Sequence, residues 1–301
     1  MSPLTRQAVQ PLIDLALRED GASRDLTSCA VLPPTLCIRA RIIAKAPGIL
    51  AGSAVAVWTL QTMDRSLRCS LKTKEGAKLS PEQTILIVEG RARSIFAAER
   101  VALNFLAHLS GVATLTRQFV ERTRGTRAAI YDTRKTLPGL RLLEKYAVRV
   151  GGGQSHRASL AEAVLIKTNH LRALQQAREV YLVKREALIR EAVMRTQQAA
   201  TSRWVEVEVT NMAEFQAALS TKPDMILLDN WRVSNIRRAV KLRDTLGASR
   251  FTKLEVSGGV TLANVCAITK TGVDRISIGR LTHSAPALDI ALEVASRLRT
   301  P

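Results

Sequence analysis

WVEVEVTNMAEFQAALSTKPDMILLDN, residues 204–230, sets two short aliphatic runs, WVEVEV and MILLDN, on either side of a helix-length segment. The same alternation extends in both directions. AAIYD (128–132) and AVLIK (163–167) come before it, and KLEVSGG (253–259) and RISIG (275–279) come after. Short apolar strands alternating with helices predict parallel strands joined by right-handed helical crossovers. That leaves an α/β barrel or a doubly wound open sheet. Polar residues lie within or at the C-terminal ends of most of these runs; a barrel gathers such ends around one site, whereas an open sheet spreads them along a crevice. The pattern therefore favours the α/β barrel.

Upstream, residues 4–19 predict a helix with Leu4, Val9, Leu12, Ile13, Ala16 and Leu17 on one face, closed by a polar loop, GASRDLTS (21–28). Strand-like runs follow at 37–45, 67–74 and 84–90, with an apolar segment at 53–63 and a helix over 95–121 that carries Glu99, Arg100 and Asn104. Residues 171–203 predict one long amphipathic helix, with Leu171, Leu174, Ala177, Val180, Tyr181, Leu188, Ala192 and Met194 at helical intervals. A last helix is expected over 286–298.

The 301 residues are 46% hydrophobic, enough for a full core and a smaller companion domain. No apolar run approaches the ~20 residues of a spanning helix, and the acidic N-terminal thirty residues do not resemble a signal peptide, so a cytoplasmic protein is expected. Cys29, Cys37, Cys69 and Cys266 show no CxxC pairing and are expected to be buried, reduced thiols. The net charge of +19 calls for anionic partners: nucleic acid, acidic lipid or phosphorylated small molecules. Aromatics at 4% and basic residues spread along the chain argue against nucleic acid.

Arg134, Lys135, His156 and Arg157 concentrate positive charge beside a triple glycine, suiting carboxylate or phosphate. In AVLIKTNH, strand alternation puts Leu165, Lys167 and Asn169 on one face and Val164, Ile166 and Thr168 on the other. An inward Lys167 needs acids, and Glu206, Glu208 and Asp229 lie on the matching face of their strands. Thr168, on the opposite face, is expected to point toward the surrounding helices and to give only remote support. Ser257-Gly258-Gly259 and Ser277-Ile278-Gly279 end the last two strands, where barrels bind phosphate through glycine amides and helix N-termini. Fixed cations, two carboxylates and a phosphate cradle describe a site for an acidic substrate and a sugar phosphate, with electrostatic stabilisation as the main source of rate.

ERVALNFLAHLSGVATLT (99–116), YDTRKTLPGLRLLEKYAVRVGGG (131–153), SHR (155–157), VLIKTNH (164–170), VEVEV (205–209), ILLDN (226–230), SGG (257–259) and SIGRLTHSAPALDI (277–290) resemble, in order, the motifs of the quinolinate phosphoribosyltransferase family, also called nicotinate-nucleotide pyrophosphorylase. The resemblance covers about Leu17 to Leu292. It implies an α/β protein with an N-terminal α/β sandwich domain (1–112, with 284–301 packing back on it) and an incomplete parallel α/β barrel (113–283). The implied reaction moves a phosphoribosyl group from 5-phosphoribosyl-1-pyrophosphate to quinolinate with decarboxylation, giving nicotinate mononucleotide, pyrophosphate and CO2 in NAD biosynthesis. It also implies a homodimer, with Arg100 lent to the neighbouring subunit's site. Thr133, Arg134, Lys135, His156, Arg157 and Lys167 match the family's substrate-binding positions; Lys135, Lys167, Glu208 and Asp229 match its catalytic ones. Mg2+ is expected to be held mainly through pyrophosphate, with Glu208 and Asp229 as the candidate acids. Ser257, Gly258, Gly259, Ser277, Ile278 and Gly279 match the 5′-phosphate pocket. The chain departs from the family pattern twice, reading Lys167-Thr168-Asn169-His170 for the usual Lys-Asp-Asn-His and Arg24-Asp25-Leu26-Thr27 for Gly-Asp-Leu-Thr. A molybdenum-transport-linked relative on the same fold and a basic nucleic-acid-binding scaffold are the alternative readings.

Overall fold

The computed structural model describes residues 4–177, 184–199 and 202–298. They group into two compact units interleaved in sequence: Met1–Arg117, Thr136–Gly152 and Arg280–Pro301 form one, Gln118–Lys135 and Gly153–Gly279 the other. In chain order the elements are α1 (Arg6–Glu19), α2 (Leu26–Val31), β1 (Cys37–Ala44), β2 (Gly48–Ile49), α3 (Ser53–Met63), β3 (Arg68–Leu71), β4 (Lys78–Leu79), β5 (Thr84–Arg91), α4 (Ala92–Arg122), β6 (Ala129–Tyr131) and α5 (Arg141–Val150). There follow β7 (Val164–Ile166), α6 (Thr168–Gln176), α7 (Arg185–Ala199), β8 (Val205–Val209), α8 (Met212–Ser220), β9 (Met225–Asp229), α9 (Val233–Thr245), β10 (Lys253–Ser257), α10 (Val265–Thr269), β11 (Arg275–Ser277), α11 (Arg280–His283) and β12 (Ile290–Arg297).

In the first unit α1 starts where Thr5 accepts the Ala8 N–H, and it buries Val9, Ile13 and Leu17, one stripe at intervals of four. The expected loop 21–28 is in part helical, because the Asp25 carboxylate accepts the Ser28 N–H and nucleates α2. The same unit holds an antiparallel sheet in the order β12-β1-β5-β3. The helix expected over 286–298 is instead strand β12, and the physical reason is pairing. β1 is already bonded to β5 on one side, and residues 290–297 complete its other side from Ala44↔Ile290 to Ile38↔Arg297. Glu293 of β12 meets Arg41 at 3.2 Å. A sheet edge of this kind overrides the weak helical preference of IALEVASR. Gly111 sits within α4 because a Cβ there would collide with the Pro286 carbonyl.

The second unit is a parallel sheet in the order β6-β11-β10-β9-β8-β7, whose outer strands β6 and β7 share no ladder among the described residues. It is an incomplete α/β barrel. Val205, Val207 and Val209 are buried, and so are their outward-facing counterparts Ile226, Leu228, Leu254 and Val256. Register carries a row of the opposite face across the sheet, from Glu208 through Leu227, Glu255 and Arg275 to Ala129. Asp229 and Ser257 pair one step nearer the strand ends.

The single helix expected over 171–203 is two, α6 and α7; Val180 and Tyr181 lie outside the described residues. Leu171, Leu188, Ile189 and Val193 are the buried positions, while Met194 is exposed. The periodic pattern merged two short helices, of which α6 packs on α7 and α7 on β7 and β8. The cysteines are not buried as expected: Cys29 is exposed and the other three are intermediate, all free thiols. No described helix is long and apolar enough to cross a membrane.

Candidate active site

The candidate side chains of the second unit sit where a parallel strand ends or just beyond, except His156 and Arg157, which lie in the segment between α5 and β7. Downstream of β6, Thr133 Oγ1 accepts the Lys135 N–H at 3.0 Å, a local turn that presents Arg134 and Lys135. Arg157 is buried and donates to the Ala163 carbonyl at 2.7 Å; burial and the neighbouring charge of Arg134 push its guanidinium down from its ordinary value. The charge of Glu206 acts in the opposite sense, and an anionic ligand would add to that relief.

Lys167 differs from expectation. β7 stops at Ile166, and Lys167 is the exposed residue that caps α6, its N–H bonded to His170 Nδ1 at 2.9 Å. It therefore needs no buried counter-ion. Strand alternation also stops there, which overturns the placing of Thr168. Thr168 is the first residue of α6, and both its N–H (3.1 Å) and its hydroxyl (2.6 Å) donate to Glu208 Oε1. The residue expected to face the helices touches a candidate catalytic acid.

Glu208 and Asp229 are both half-buried. Burial, and then the charge of Glu208, raise the Asp229 carboxyl above its usual value, against the pull of Lys135 and Lys167. Four of the expected residues thus share one electrostatic neighbourhood. Two crowded carboxylates are hard oxygen donors of the kind Mg2+ takes, so the residues fit that ion.

Beyond β9, Asn230 adopts φ 59° and its N–H donates to the Ser257 carbonyl at 2.9 Å. Gly258 has φ +83°, and a Cβ there would strike the Asn230 side chain. Gly258 and Gly259 are exposed, leaving their backbone open to an anion. The helical part of the expected phosphate cradle is smaller than the sequence suggested: α10 is five residues long and begins six positions after Gly259. Ser277 and Ile278 are buried, and Gly279 is half-buried. Arg100 belongs to the first unit and is exposed on α4.

His156 is buried, 7% exposed. Its Nδ1 accepts the Arg157 N–H at 2.8 Å, so the neutral ring carries its proton on Nε2, which donates to Glu206 Oε2 at 3.0 Å. Glu255 Oε1 lies 3.5 Å from the same nitrogen. Burial holds both Glu206 and Glu255 well above the usual carboxyl range, against the charge of Arg275. The three groups are spaced like metal ligands, yet a protonated Nε2 has no lone pair to offer. The arrangement is a His156–Glu206 hydrogen bond with the buried Glu255 carboxyl beside it at ion-pair distance. Glu255 and Arg275 were missed by sequence reasoning. The signal existed: Glu255 in KLEVS has the same inward parity as Glu206 in VEVEV.

The N-terminal domain model of quinolinate phosphoribosyl transferase matches residues 25–110, and the C-terminal domain model matches 112–293. The chain is 39% identical to the Mycobacterium leprae nicotinate-nucleotide pyrophosphorylase (carboxylating) over 290 residues, covering 95% of this chain and 97% of the relative. It is 37% identical to the probable Bacillus subtilis enzyme of the same name, covering 95% and 93%. The solved nicotinate-nucleotide pyrophosphorylase of Francisella tularensis superposes with a TM-score of 0.86 at 34% identity, over 97% of this chain and 98% of that one.

Proposed function

This chain belongs to the quinolinate phosphoribosyltransferase family, and from that premise we propose that it transfers a phosphoribosyl group from 5-phosphoribosyl-1-pyrophosphate to quinolinate with loss of CO2, in NAD biosynthesis. The observation that carries the reading is the joint placement of Lys135, Lys167, Glu208 and Asp229 in one electrostatic neighbourhood.

Departure of pyrophosphate from C1 leaves positive charge on the ribose and builds negative charge on the leaving group. Glu208 and Asp229 face the first, and Lys135 and Lys167 the second. The pyridine nitrogen attacks C1. The bond to the 2-carboxylate then breaks, its electron pair stays at C2 beside the quaternised nitrogen, and C2 takes up a proton. Arg134 and Arg157, crowded together, receive the quinolinate carboxylates, and the peptide groups of Gly258 and Gly259 receive the 5′-phosphate. His156 has both ring nitrogens engaged within the protein, so its part is to fix the Arg157 backbone. Mg2+, bound through pyrophosphate with help from Glu208 and Asp229, would neutralise the leaving group. No covalent intermediate is needed, because positioning and charge compensation suffice.

The same reading includes a homodimer in which Arg100, exposed on α4, serves the partner's site, and a reducing cytoplasm that suits four free thiols. The test is incubation with quinolinate, the phosphoribosyl donor and Mg2+. Nicotinate mononucleotide is the expected product, and nicotinate should not replace quinolinate. Equal use of nicotinate would show the wrong substrate; no product from either would favour the molybdenum-transport-linked or scaffold reading.

A further inference from the structure

Glu208 is held from outside its own strand. Thr168 aims two donors at one oxygen, its N–H at 3.1 Å and its hydroxyl at 2.6 Å from Oε1, the shorter being typical of a hydroxyl bonded to a charged carboxylate. The same hydroxyl accepts from Arg185 Nη2 at 3.1 Å. Arg185 is ion-paired through Nε to Glu214 Oε1 at 2.8 Å, and Glu214 is only 3% exposed. The other Glu214 oxygen takes the Thr210 N–H at 2.8 Å and the Thr210 hydroxyl at 3.0 Å. The chain of contacts Thr210–Glu214–Arg185–Thr168–Glu208 therefore ties together the N-terminal turns of α6, α7 and α8.

The chemistry of the hydroxyl gives this chain a direction. A threonine hydroxyl has one proton, and a guanidinium can only donate. With Arg185 donating to Oγ1, the proton of Thr168 has one destination, Glu208. Glu208 Oε2 has no hydrogen bond among the described residues and is the oxygen left for a ligand. A serine or threonine hydroxyl can accept from Arg185 and donate to Glu208 at once. Aspartate, the usual family residue at this position, can accept from Arg185 but is acceptor-only when ionised.

We propose that Thr168 and Arg185 are positioning residues for phosphoribosyl transfer, fixing the Glu208 carboxylate so that Oε2 is set toward the ribose. The proposal rests on the reading of Glu208 as a ribose-contacting acid. Neither residue touches substrate; both act through Glu208.

The test compares Thr168→Val, which keeps the shape and loses the hydroxyl, with Thr168→Ser, which keeps it, and adds Arg185→Ala and the double variant. Thr168→Val should lower kcat about tenfold while leaving KM for quinolinate within about twofold, and Thr168→Ser should restore kcat to within about threefold of the natural protein. Arg185→Ala should reproduce the loss, and the double variant should be no worse than either single one, as for groups acting in one chain. Full kcat in Thr168→Val, failure of serine to rescue, or losses that multiply in the double variant would each overturn the proposal. Should Thr168→Val not fold, Arg185→Lys decides on the same criteria. An inactive natural protein would overturn the functional reading instead; crystal structures of the natural protein and Thr168→Val would then judge the positioning. A displaced Glu208 carboxylate supports it, and an unmoved one overturns it.

Discussion

Single residues in this protein are defined by what their polar atoms can still offer. Glu255 is fully buried, and burial together with the charge of Glu206 makes its proton hard to remove. In the unfolded chain that carboxyl ionises near its ordinary value of 4.5, whereas in the folded chain it is pushed up to about 8. The folded state therefore binds more protons than the unfolded state between those values. Its contribution to stability is complete below the lower value and is lost as pH rises toward the upper one. Glu255→Gln keeps the shape and removes the titration. The melting temperature of the natural protein should fall more steeply from pH 5 to pH 8 than that of Glu255→Gln, read by thermal scans in matched buffers. Parallel slopes would show that Glu255 is ionised across the range.

Elements were legible where periodicity was local and obscured where a distant partner decided. The six parallel strands could be read because each is a short apolar run bounded by polar strand ends, and Glu208 and Asp229 could be placed from those ends. Thr168 could not, because alternation was extended past Ile166, where β7 gives way to α6. Nor could β12: IALEVASR has no strong strand signature, and its conformation is imposed by the open edge of β1, some 250 positions earlier in the chain. Register between β10 and β11 places Arg275 opposite Glu255, a pairing that neither run states by itself. Gly111 shows the same dependence on distant backbone. In an isolated helix, alanine in place of glycine adds about 1 kcal/mol of stability. Here the Cβ meets the Pro286 carbonyl, so Gly111→Ala should lower the melting temperature despite better helix propensity. A raised melting temperature would mean that the segment at 286–287 yields at little cost.

At the scale of the whole molecule, family matches extend from residue 25 to residue 293, and the charge balance fits the proposed substrates. A dicarboxylate and a pyrophosphorylated sugar are both strongly anionic, and a chain of net charge +19 draws them by long-range attraction. The core of the second unit uses charge differently. Glu206 and Glu255 are buried there, their carboxyls pushed up by burial against the charge of the half-buried Arg275, and His156 is locked in one tautomer. Decarboxylation should then depend on prior phosphoribosyl transfer, because only the quaternised ring nitrogen can hold the electron pair left at C2. Quinolinate labelled in its 2-carboxylate separates this order from every alternative. With the phosphoribosyl donor and Mg2+ present, one labelled CO2 should be released for each pyrophosphate, and none should be released without the donor. Labelled CO2 in the absence of donor, or pyrophosphate released while the label stays on the pyridine, would contradict it.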